Sequence, residues 1–169
     1  MKKALRSIDT ISEWSGRLAR VFTVALIGVM VTEVTMRYVF NRPTMWAYET
    51  SIMLGAALYA MGFCFVECHD AHVRVDVFYS KFSLRARALV DVIGGFIVFL
   101  PLITVVVYAS WQWMIKAWIT KEKMFETYWF PPAYPLRTAV AIGFALLAIQ
   151  GLVHLYRNLY VLIRNKKYD

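Results

Sequence analysis

The side chains able to do chemistry are few and lie among long apolar runs. Glu33 and Arg37 stand four residues apart with the acid first, the favourable order for an ion pair on a helix. Such a pair reads either as an ion or proton site, or as a structural pair near the edge of a membrane, joined by Glu49. Depth favours the second reading, because an arginine near a helix end can snorkel outward. A coupling acid would sit at mid-membrane beside broken helices, and the sequence shows none. Cys64, Cys68 and His72 repeat every four residues with His69 and Asp70 adjacent, but the spacing matches no common zinc pattern. His72 and His154 could together hold a haem between helix ends, which keeps a haem-bearing respiratory anchor as an alternative function. No nucleophile constellation, phosphate loop or paired carboxylates occur. The sequence therefore predicts no catalytic, metal or cofactor site and no enzyme.

The elements carrying these residues follow from composition. Of 169 residues, 60% are apolar, more than a soluble domain of this size can hide from water. Lipid must be the solvent for much of the chain. The net charge of +8 is distributed between and beside the apolar runs, so it is read by the membrane and not by nucleic acid. Two cysteines make no disulfide framework.

Four segments are expected to cross the bilayer as helices, giving an all-α membrane protein with one membrane domain over residues 1–169. The second span runs over 46–66, the third over 92–115 and the fourth over 138–156. Each is about the 20 residues needed to cross a hydrocarbon core. The first, over 18–40, has a charge-free core of only 12 residues, Val21 to Thr32. It is expected to be a retained helix and not a cleaved signal. Pro101 is expected to kink the third span. Scattered Gly55, Gly62, Gly94, Gly95, Gly143 and Gly151 suit helix packing.

Loop charge sets the orientation. The N-terminus, the 67–91 connection and the C-terminus carry 13 Lys and Arg, against 6 in the other two loops. The positive-inside rule places both termini in the cytoplasm of an inner membrane. Trp46, Trp111, Trp113, Trp118 and Trp129 gather at the outer boundary as an interfacial belt. Residues 3–18 carry an apolar stripe and are expected to lie as an amphipathic helix on the inner surface. The alternation Val73, Val75, Val77 against Arg74 and Asp76 predicts an extended stretch, and Ser83 is expected to cap the next helix.

Three blocks carry a family resemblance. The first is Arg37-Tyr38-Val39-Phe40-Asn41-Arg42-Pro43 followed by Trp46-Ala47-Tyr48-Glu49. The second is His72-Val73-Arg74-Val75-Asp76. The third is the aromatic, Pro-rich stretch from Tyr128 and Trp129 through Pro131, Pro132 and Pro135 into Ile142-Gly143-Phe144-Ala145-Leu146-Leu147. In these blocks, and in their order along four spans, the chain resembles the small membrane subunit, DctQ type, of tripartite ATP-independent periplasmic (TRAP) transporters. One departure is Tyr48, where members often carry a second acid before Glu49.

The resemblance implies a sodium-coupled secondary transporter for organic acids. A periplasmic protein captures the substrate and a large membrane subunit moves it. The small subunit packs on the large one as a heterodimer and helps dock the periplasmic protein. Glu33, Arg37, Trp46, Glu49, His72, Arg74, Asp76, Trp129, Pro132 and Pro135 would then be fold or partner-interface residues, with no cofactor. An autonomous small transporter is the other alternative, and only Glu33 comes close to lining its path.

Overall fold

The computed structural model describes residues 2–69 and 82–164. The described residues are mostly helical, and four helical stretches are long and apolar enough to cross a membrane: Leu5–Tyr38, Ala47–Cys68, Arg85–Thr120 and Tyr134–Arg164. The expected spans 92–115 and 138–156 fall within these, while 18–40 overruns its helix by two residues and 46–66 starts one residue before its own. The stretch expected to alternate over 72–77 lies outside the described residues, and so do His72, Arg74 and Asp76.

Helix α1 is Lys2–Tyr38 and α2 is Ala47–Cys68. Helix α3, Leu84–Gly94, runs through a π-helical turn, Gly95–Phe99, into α4, Leu100–Thr120. Helix α5 is Tyr134–Arg164. Ser83 caps α3 as expected, its Oγ accepting the Ala86 N–H at 3.3 Å. The π-turn sits immediately before Pro101. Proline offers no N–H to the preceding turn, and the wider turn re-pairs the backbone with the Leu100 N–H donating to the Gly95 carbonyl. The irregularity beside Pro101 is thus a π-helical turn ending two residues before it.

One expectation changes. Residues 3–18 are helical but are not a separate surface element. They continue without a break into the first span, so α1 is 37 residues and about 55 Å long. Ser12, Ser15 and Ala19 are buried against neighbouring helices. The serines point into the protein, because hydroxyls near lipid are satisfied best by other helices.

The helices form an open row. α1 packs along α2, α2 along α5, and α5 along both α3 and α4. Among the described residues α1 and α4, at the two ends, do not pack on each other. Close approach depends on small residues at the seams. A Cβ on Gly143 would stand 2.5 Å from Ala60 Cβ and 2.6 Å from its carbonyl oxygen, and one on Gly16 would meet the Phe65 ring at 2.3 Å. Gly95 and Gly151 likewise admit Leu155 and Phe99. Gly55, Gly62 and Gly94 face open space, so the packing role expected of glycines holds at some positions and not at these.

Candidate functional site

Two polar clusters mark the two ends of the helices. We call them the loop side, with the 39–46 and 121–133 connections, and the termini side.

On the loop side, Glu33 and Arg37 form the expected pair, with Nε 3.0 Å and an Nη 2.5 Å from Glu33 Oε1. The other carboxylate oxygen accepts the Thr44 N–H at 3.0 Å and the Thr44 hydroxyl. Glu33 therefore fastens the 39–46 connection to the end of α1. Glu49 does not join this pair. Thr44 fills the remaining acceptor of Glu33, and Glu49 turns instead toward the other connection. It is fully buried, and its Oε1 accepts the Thr127 N–H at 3.0 Å. Its Oε2 is buried without a hydrogen bond among the described residues.

The 121–133 connection is pinned at several points. Met124 N–H donates to Pro131 O and Ala133 N–H to Glu122 O, each at 2.8 Å. Arg137, in the first turn of α5 and only 8% exposed, donates two hydrogen bonds to Glu122. Its guanidinium also stacks on Trp113 of α4, 4.1 Å from the ring centroid. The hydrogen bonds from Arg137 hold the Glu122 carboxyl below its ordinary value, outweighing partial desolvation. Trp118 Nε1 donates to Thr138 Oγ1 at 2.9 Å and closes the same corner. Trp129, Tyr128 and Phe125 remain exposed at the tip, Pro132 sits in the bridge to Lys123, and Pro135 opens α5. Trp46 is part-exposed just before α2, and its carbonyl accepts the Thr50 N–H at 3.0 Å.

On the termini side a second cluster joins three helices. Ser12 Oγ of α1 lies 2.9 Å from Gln150 Oε1 of α5 and 3.0 Å from Cys64 Sγ of α2. Ser15 Oγ donates to the Met61 carbonyl at 3.1 Å. Gln150 Nε2 donates to Asp9 Oδ1 at 3.1 Å, and Arg157 reaches Asp9 Oδ2 at 2.6 Å. His69 faces Glu13 at 3.1 Å, and His154 faces Glu67 at 3.9 Å. Ser12, Gln150 and Cys64 are each almost wholly buried.

This cluster was not legible as a site. Its members are spread from residue 9 to residue 157, and no local spacing links them. One signal could have found it. Four spans place both ends of the chain on one side, so an acid at 9 and a base at 157 can share a level. Replacing Gln150 by Leu is expected to cost about 1 kcal/mol, since interhelical hydrogen bonds in membranes are individually modest. Thermal unfolding of the purified variant measures it, and an unchanged midpoint would show that Gln150 links nothing.

Internal ties, from both clusters, engage the polar side chains within the described spans that sequence had singled out, with Glu49 Oε2 left over. What such ties belong to is decided by comparison. The family model described as tripartite ATP-independent periplasmic transporters, DctQ component, matches residues 26–160.

The chain belongs to the DctQ family.

It is thus a small, multi-pass membrane component of a TRAP transporter, a system that also contains a large membrane subunit and a periplasmic binding protein. The match covers Glu33, Arg37, Glu49, Glu122, Arg137, Gln150 and Arg157, and begins after Asp9, Ser12 and Ser15. In this DctQ chain, then, the α1 half of the termini-side cluster lies before the matched region and the α5 half within it. Comparison with curated proteins finds no match.

Proposed function

We propose that this DctQ chain is the non-catalytic scaffold of a sodium-coupled TRAP transporter for organic acids. It forms a heterodimer with the large subunit, enlarges that subunit's fixed part and helps dock the periplasmic binding protein. Both termini lie in the cytoplasm, so the 39–46 and 121–133 connections face the periplasm. The observation that carries this reading is how the polar groups are spent. Glu33, Arg37, Glu122, Arg137, Asp9 and Arg157 tie the chain's own helices and loops together. The result is an open row whose end helices, α1 and α4, keep long apolar faces exposed. A row of this kind suits leaning against a larger membrane protein, with lipid on the faces left over.

His72, Arg74 and Asp76 would tie down the connection between α2 and α3 on the cytoplasmic side, and Tyr48 would replace an acidic partner contact with an aromatic one. The test is co-purification. An affinity-tagged chain is expected to bring the large subunit with it at one to one, and Asp76→Ala to lower the yield of that complex. Recovery of the tagged chain alone, or an undiminished complex from the variant, would count against the assignment.

A further inference from the structure

A groove of about 680 Å³ runs along the seam of α4 and α5 on the loop side. Its chemistry is layered. Lys116 stands at its mouth, one turn before the end of α4, and is exposed. Gln112 lies four residues deeper on the same helical face, about 6 Å below. Beneath them the walls are Ala109, Val106 and Ser110 of α4 with Val140 and Phe144 of α5, the Ser110 hydroxyl being turned back onto the Val107 carbonyl at 3.0 Å. From Lys116 to Val106 is ten residues, about 15 Å of helix, which is the depth of one leaflet of a hydrocarbon core of about 30 Å.

A cation, then a carboxamide, then an apolar slot is the order in which a glycerophospholipid presents phosphate, ester carbonyls and acyl chain. We propose that this groove seats one phospholipid of the loop-side leaflet. Its phosphate pairs with Lys116, its ester carbonyls accept from Gln112, and one acyl chain fills the slot down to Val106 and Phe144. Two features favour a lipid over a helix of the large subunit. An apolar partner helix would leave the Gln112 carboxamide facing hydrocarbon, where an unsatisfied polar group is costly. It would also bring Lys116 no anion beyond the Glu122 carboxylate that already attracts it, whereas a phosphate at the groove mouth would. Arg137 does not compete for that phosphate, because Glu122 and Trp113 already engage it.

The proposal does not depend on the scaffold role, and its test reads lipid, not transport. The full chain, alone and co-purified with the large subunit, is supplied with phosphatidylglycerol in mild detergent and examined by native mass spectrometry. The expected result is one retained phosphatidylglycerol per chain in both preparations. Lys116→Met should weaken retention about fivefold, the worth of one basic side chain near an anionic lipid. Ala109→Trp, at an exposed position that can accept a larger side chain, should fill the slot and abolish retention. Circular dichroism matching the wild type keeps the variants comparable. Equal lipid on the wild type and Ala109→Trp would show adventitious lipid only and overturn the assignment. Loss of the lipid when the large subunit binds would also overturn it, giving the groove to that subunit.

Discussion

Replacing Gly143 with Val is expected to be among the most damaging single changes in the chain. The α2–α5 seam is the central contact of the row, and at Gly143 the two backbones approach without room for a side chain. A Cβ there would lie 2.6 Å from the Ala60 carbonyl oxygen and 2.7 Å from its carbonyl carbon. These are backbone atoms of a hydrogen-bonded helix, so no rotamer change relieves the overlap. The helices must separate, and overpacking of this kind costs about 1–3 kcal/mol or more. The purified variant should unfold several degrees below the wild type and be recovered in lower yield. Gly28 supplies the control, because a Cβ there meets nothing within 4 Å. Gly28→Val should unfold with the wild type. Equal midpoints for both variants would show that Gly143 does not set the seam.

Arg137→Ala should release the 121–133 connection. One guanidinium joins Glu122 in the loop, Trp113 on α4 and the first turn of α5, and alanine can make none of these contacts. Limited trypsin digestion after Lys121 and Lys123 is expected to speed on the order of tenfold, since cleavage follows local opening. The Glu122 carboxyl also gives the effect a pH signature. Its folded-state value is depressed below the ordinary 4.5, so the tie is fully present above that value. It is lost as pH falls through the lower folded-state value. The gap between wild type and Arg137→Ala should therefore hold from neutral pH to about 5 and close only in stronger acid. A gap that closes near pH 6 to 7 would point to a histidine and not to Glu122.

What could be read from sequence follows from which forces leave a periodic or compositional trace. Hydrocarbon demands runs of about 20 apolar residues, so the spans over 46–66, 92–115 and 138–156 were plain; the structure encloses the last two in longer helices and places the first on Ala47–Cys68. Ser83 was legible because an N-cap is a local hydrogen bond between near neighbours. The Glu33–Arg37 pair was legible for the same reason, being four residues apart on one helix. Contacts between distant segments leave no such trace. Thr44 completes Glu33 and Thr127 engages Glu49, and neither threonine differs in type from any other loop threonine. Arg137 read as a loop charge because it lies just after Pro135, yet that position puts it inside the first turn of α5 and under the loop.

The segment over 3–18 shows where the rule itself reverses. In water an apolar stripe faces the protein and polar residues face out. Near lipid, Ser12 and Ser15 turn inward to Gln150, Cys64 and the Met61 carbonyl, while Ile11, Trp14 and Leu18 face out. The same stripe was present in the sequence, and only the identity of the solvent decided which side of it met the protein.

The central claim is that this chain supports transport without performing it. Reconstitution in liposomes under an inward sodium gradient tests that most directly. The chain, the large subunit and the periplasmic binding protein, loaded with its organic acid, are combined and then omitted one at a time. Uptake is predicted to need all three and to be absent with this chain alone. Sodium-driven uptake by this chain without the large subunit, or full uptake by the other two without this chain, would contradict the account.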